Sequence, residues 1–150
     1  MAAFDWDDSF SVGVRQVDQH NQHLFNLLRN INKELIEDTY SLRTKIDFYE
    51  LSEYIVFHFA SEEIWMTKSK YSIITVHQEQ HKQLILVFLD IYKHFQDGDI
   101  SISTMLPRLM LLVVAHIQKG DATYGHFVHD ELSMKSIAKS TSSNYTVSWS

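Results

Sequence analysis

The chain contains no cysteine. That single absence excludes disulfide frameworks, thiolate-bound zinc, iron–sulfur clusters and thiol nucleophiles, so any metal must be held by histidine and carboxylates. Proline occurs once and glycine four times in 150 residues, too few turn formers for a β-sandwich or a collagen-like chain. Positive charge is also scarce: 13 Lys and Arg face 19 Asp and Glu, a net charge of −6. Such a surface repels a phosphate backbone and offers no footprint for nucleic acid. The longest uninterrupted apolar run, Leu109 to Ala115, falls far short of the ~20 residues needed to cross a bilayer, so no membrane association is expected. The segment Met1 to Phe10 carries three aspartates and no basic residue, unlike a secretory signal, and a cytoplasmic location is the expectation.

What is present is helical patterning. A hydrophobic content of 45% in 150 residues suits one domain with one core. After an arm with Phe4, Trp6 and Phe10, the residues Val17, Leu24, Leu27, Leu28, Ile31 and Leu35 mark one face of a first helix. Glu37 to Ser41 reads as a loop. A long second helix from about Leu42 to Lys68 is expected to turn Leu42, Ile46, Tyr49, Leu51, Ile55, His58, Phe59, Glu62 and Met66 inward. A third follows, with Val76, Leu84, Ile85, Phe88, Ile91, Tyr92 and Phe95, and stops at Gly98. Ser101 to Thr104 can cap a fourth, with Pro107 near its first turn.

These elements predict an all-α fold, an antiparallel up-down four-helix bundle with an N-terminal arm over residues 1–132 and a weakly ordered polar tail at 133–150. Tyr40, Phe48, Trp65 and Tyr92 are the large aromatics expected to face outward, where bundles of this kind assemble.

Nine histidines occur, and four of them fall on apolar helix faces together with two carboxylates. His58 and Glu62 are four apart, as are His77 and His81, so each pair projects from one face of its helix. His116 follows the seven-residue apolar run, and Asp121 lies five residues further on. In a regular helix that interval is a rotation of about 140°, so the two can meet only if the helix opens or ends near Gly120. A lone inward histidine is ordinarily a hydrogen-bonded core residue. Buried carboxylates are harder to explain that way, because an unpaired one needs a cation or strong donors.

A shared metal site accounts for all three helices. Imidazole and carboxylate suit iron, zinc, manganese or copper. A zincin helix reads His-Glu-x-x-His, whereas Gln78 and Glu79 stand between His77 and His81. No histidine has a glutamate three residues before it, which disfavours a ferritin-type site.

The pattern resembles the hemerythrin family, particularly its single-domain bacterial members. The matching residues are Val12-Gly13-Val14 with Val17-Asp18, His58-Phe59 with Glu62-Glu63 and Met66, Tyr71 six before His77, then His81, His116-Ile117, Asp121 and Tyr124. The resemblance spans Trp6 to about Tyr124. It implies two non-haem iron ions joined by an oxo or hydroxo bridge, with reversible binding of dioxygen. By the same resemblance His77, His81 and His116 ligate one iron, His58 and a first-helix histidine ligate the other, and Glu62 and Asp121 bridge both.

Three departures stand out. The position three before the Leu24-Phe25 pair, where the family carries its first-helix ligand, is Asn21, flanked by His20 and His23. His20 lies about 65° from the mean apolar direction of that helix and is the expected ligand, reached by a local shift. Leu112 stands where a tryptophan often precedes the fourth-helix histidine, next to Val113, a position the family often fills with a larger leucine. The usual Gly-Tyr-Pro turn reads Lys70-Tyr71-Ser72. His94, His126 and His129 match no part of the pattern and read as surface or helix-end residues. The functions compatible with this reading are an oxygen carrier, store or sensor, a signalling module read out through the tail, and a di-iron peroxidase, oxidase or nitric oxide scavenger.

Overall fold

Apolar residues at three- and four-residue spacing become the buried stripes of long helices. The computed structural model describes residues 4–37, 42–99 and 102–147. They form a 3-10 turn at Asp8–Phe10, then α1 (Arg15–Ile36), α2 (Leu42–Lys68), α3 (Ile74–Gln96), α4 (Ile102–His116), a π-helical turn (Ile117–Asp121) and α5 (Ala122–Val147). No strand occurs among the described residues. α4, the π turn and α5 follow one another without interruption and act as the fourth member of an antiparallel up-down four-helix bundle. α1 packs on α2, α2 on α3, α3 on α4, and α4 closes the ring against α1. The loop expected at 38–41, with Tyr40, and the cap expected at Ser101 lie outside the described residues.

The core is divided along the bundle axis. A large cluster contains Leu24, Phe25, Leu28, Ile55, Phe59, Leu84, Phe88, Val113 and Ile117. A smaller one contains Val17, Met66, Tyr71 and Tyr124. On every helix the chemistry-bearing residues fall between a residue of the first cluster and one of the second, as His58 and Glu62 do between Ile55 and Met66. Each fully buried Leu, Ile or Phe contributes about 1.5–3 kcal/mol, and that apolar packing on both sides keeps the polar layer dry.

The arm is fastened to this frame. Trp6 and Phe10 both pack on Phe25, with ring centroids 5.3 Å away in each case. The Asp18 carboxylate accepts from the Val12 amide at 2.8 Å and from the Ser11 hydroxyl at 2.6 Å. His129 reaches the Gly13 carbonyl oxygen at 3.0 Å. The Val12-Gly13-Val14 and Asp18 pattern is therefore a clasp.

Four expectations are corrected. Leu42, Ile46 and Tyr49 are exposed, and the inward stripe at the start of α2 is Thr44, Asp47, Phe48 and Leu51. Counting back from Ile55 in steps of three and four reaches these residues, while Leu42, Ile46 and Tyr49 lie roughly a third to a half turn away, since each residue rotates the helix by about 100°. Phe48, expected outside, is fully buried against Phe95 with centroids 4.0 Å apart. Val76 is exposed because its neighbour His77 holds the inward position. Pro107 lies in the second turn of α4 rather than the first. Along α5, residues 131–139 are all exposed, so this stretch adds nothing to the core.

Candidate metal centre

Helical spacing delivers two pairs directly: α2 points His58 and Glu62 inward, and α3 points His77 and His81. The fourth helix uses a different device. At Ile117–Asp121 the backbone widens to a π turn, with the Ala122 amide donating to the Ile117 carbonyl five residues back. Pairing at that interval places residues five apart on one face, so His116 and Asp121 converge without the helix ending. The Nε2 atom of His116 lies 3.1 Å from Asp121 Oδ1.

Glu62, His77, His81, His116 and Asp121 each offer one ligand atom, and these atoms all lie within 4.8 Å of one another. Glu62 Oε2 faces His77 Nε2 at 3.1 Å and His81 Nε2 at 2.9 Å, with His116 Nε2 at 4.0 Å. Its other oxygen, Oε1, faces His58 Nε2 at 3.2 Å. Asp121 divides in the same way: Oδ1 lies 3.1 Å from both His77 and His116, and Oδ2 accepts from Asn21 Nδ2 at 3.0 Å. The two carboxylates thus form a wall between a compartment with three imidazoles and one with His58 and Asn21.

Glu62 and Asp121 are fully buried, and the histidines nearly so. Burial alone would push the Glu62 carboxyl up, but His58, His116, His77 and His81 together hold it well below the usual carboxylate range. Burial likewise works to lower His116, and the Asp121 and Glu62 carboxylates outweigh it, raising the group to about 9. His77 is raised in the same manner. His58 is lowered, because burial dominates there.

Glu62 Oε1, Asp121 Oδ1 and both ring nitrogens of His116 are buried without a hydrogen-bond partner, although nitrogen–oxygen pairs among them approach to 3.1–3.2 Å. Asp121 Oδ1 and His116 Nε2 face the three-imidazole compartment and Glu62 Oε1 faces the His58 one, so each compartment has buried lone pairs that a cation would satisfy. The donor set fits first-row transition metals with an imidazole preference.

Outer contacts fix the rings. His81 Nδ1 lies 2.9 Å from Glu63 Oε1, and Phe59 stacks on the His81 ring at 4.0 Å. Such partners set the tautomer of a ligating histidine and its orientation. Glu63 belongs to the Glu62-Glu63 pair of the sequence pattern, but its place beside His81 depends on how α2 and α3 pack and had no sequence signal.

The first helix brings two residues, His20 and Asn21, to the neighbourhood of His58 and Asp121. His20 stays outside the five-residue cluster: its Nδ1 lies 3.1 Å from Nδ1 of His58, on the side of that ring away from Glu62. His23 is exposed, against the edge of Tyr54. The residue that enters the layer is Asn21, which is 1% exposed. His94, in the last turn of α3, pairs with Asp99 at 2.8 Å and His126 is exposed, and neither belongs to the cluster.

No family model matches the chain. It is, however, 28% identical over 128 residues to a bacteriohemerythrin of Methylococcus capsulatus, covering 83% of this chain and 96% of the relative. A bacteriohemerythrin of Clostridium acetobutylicum is 28% identical over 127 residues, covering 81% and 98%. A crystal structure of a hemerythrin point mutant superposes with a TM-score of 0.72 at 27% identity, covering 83% of this chain and 96% of that one. In sequence and in fold the chain is similar to the hemerythrins.

Two apolar features lie near the centre. Leu112 is half-exposed and lines an open cavity of about 390 Å³ with Leu84, Val87, Ala115 and His116. Ile55, Phe59 and Val113 are buried around the imidazoles. No helix is long and apolar enough to cross a membrane among the described residues.

Proposed function

We propose that the protein is a non-haem di-iron protein that binds dioxygen reversibly, as a carrier, store or sensor, through a bundle domain spanning residues 1–132. His77, His81 and His116 would hold one ion and His58 with a ligand from α1 the other, Glu62 and Asp121 would serve both, and an oxo or hydroxo group would complete the pair. The observation that carries this reading is the division of each carboxylate, one oxygen to each compartment.

Two iron ions, when bound there, would supply the electrons that reversible dioxygen binding requires. The chain's own residues do the rest. Phe59, Ile55 and Val113 exclude water from the layer, which protects a reduced centre from side reactions. Glu63 holds a proton on His81 Nδ1 and so leaves Nε2 free to ligate, the relation expected of an outer carboxylate.

The test is iron content together with the visible spectrum, recorded on the reduced protein without oxygen and again in air. About two irons per chain and a band that appears with oxygen and disappears on its removal are expected. A centre that instead consumes peroxide or nitric oxide with turnover, and gives no reversible band, would replace the carrier reading with an enzymatic one.

A further inference from the structure

Resting on the di-iron reading above, we propose that Asn21 rather than a first-helix histidine is the α1 ligand of the second compartment, and that His20 serves to orient His58. The Asn21 side chain is 1% exposed, and its amide lies 3.0 Å from the Asp121 oxygen that faces away from the three imidazoles. Its carbonyl oxygen, Oδ1, is buried and has no hydrogen-bond partner. An unsatisfied buried amide oxygen costs about 1–3 kcal/mol, and a cation between Asn21, His58, Glu62 and Asp121 satisfies it.

His20 is committed elsewhere. Its ring lies among Trp65, Phe57 and Tyr54, with centroids 5.0, 5.4 and 5.9 Å away. Its Nδ1 meets the Nδ1 of His58, whose Nε2 points to Glu62. Two nitrogens 3.1 Å apart hold one proton between them. With that proton on His58, the His58 Nε2 lone pair is directed into the compartment, and His20 is the acceptor that keeps it there.

The two compartments then differ in kind. One has three imidazoles, and the other has one imidazole and oxygens from Glu62, Asp121 and Asn21. Oxygen donors favour harder ions and bind iron or cobalt less tightly than imidazole. The protein therefore takes up its two ions in sequence, the three-imidazole compartment first.

The experiment is anaerobic titration of the metal-free protein with Co(II) and Fe(II), followed by calorimetry and by bound metal per chain, with circular dichroism as the check on folding. Wild type is expected to bind one ion tightly and a second at least tenfold more weakly. Asn21→Leu should retain the first and lose the second. Asn21→Asp, which adds a charged oxygen at the same place, should tighten the second, so the proposal stays exposed even if the leucine variant fails to fold. His20→Gln should retain both, with the second weakened by roughly the 10–100-fold typical of lost outer contacts. If Asn21→Leu and Asn21→Asp bind two ions as wild type does while His20→Gln loses one, His20 is the ligand and the Asn21 proposal falls, but the di-iron reading stands. If wild type binds fewer than two ions, both fall together.

Discussion

Lys70 and Gly98 occupy the same position of the same helix-ending turn. After α2 the Lys70 amide donates to the Thr67 carbonyl at 3.1 Å and the Tyr71 amide to that of Met66 at 2.9 Å. After α3 Gly98 donates to Phe95 at 3.1 Å and Asp99 to His94 at 3.0 Å. Both central residues have left-handed backbones, φ 56° at Lys70 and 72° at Gly98. A side chain there costs about 1–2 kcal/mol, which glycine avoids at some expense in unfolded-chain entropy. Lys70→Gly is expected to stabilise the fold by about 0.5–1 kcal/mol. A urea midpoint that rises at unchanged slope verifies it, and an unchanged midpoint means that Lys70 carries no strain.

The π turn makes a second prediction. A methyl group added at Gly120 would lie 2.6 Å from Gln80 Oε1 and 3.1 Å from His116 Nδ1. The Gln80 head can swing aside because it ends a flexible side chain, whereas the His116 ring is held by its helix and must give way toward Asp121. Gly120→Ala should leave helicity intact and weaken metal binding in the three-imidazole compartment by about tenfold, comparable to losing a ligand's outer contact. Competition against a chromophoric chelator measures this. Wild-type affinity in the variant would show that the ring has room to spare.

At the far end of α1, Glu34 gives a pH dependence. Burial raises its carboxyl above the ordinary 4.5, and hydrogen bonding to Asp47 adds to this, with Thr44 and Arg43 opposing. A carboxyl raised on folding supports stability below its unfolded value, and that support is lost as pH rises through the folded one. Glu34→Gln should therefore have a higher thermal midpoint than wild type at pH 7, with the two converging near pH 4. A variant less stable than wild type at pH 7 would show that the charged form of Glu34 is the favoured one.

These residues also show what the sequence made legible. Pairs such as His58 with Glu62 and His77 with His81 could be read because a helix repeats its face every three to four residues. The same rule misplaced the start of α2, since the inward stripe there carries Thr44 and Asp47, polar residues that disguise it. His116 and Asp121 broke the rule by one residue, and that mismatch was itself the sign of a local change in helix type. Asn21 lay in the family's ligand slot, but its approach to Asp121 depends on the relative rotation of α1 and the fourth helix. Sequence periodicity carries no information on that rotation. Interhelical partners such as Glu63 with His81 were hidden for the same reason.

The buried layer predicts a stability that depends on metal. Glu62 and Asp121 are fully buried, and without cations they are balanced only by protonated imidazoles, an arrangement expensive to keep dry. A cation present at about 100 times its dissociation constant adds roughly 2.7 kcal/mol to the folded state, or about 5–10 °C in a chain of this length. Removal of iron by a chelator at neutral pH is expected to lower the thermal midpoint by about that much, and readdition to restore it. Glu62→Gln deletes the charge shared by both compartments, so its midpoint should barely respond to chelator while its far-ultraviolet spectrum stays helical. If the variant still responds as wild type does, the cation that stabilises the fold is bound somewhere other than between α2, α3 and the π turn.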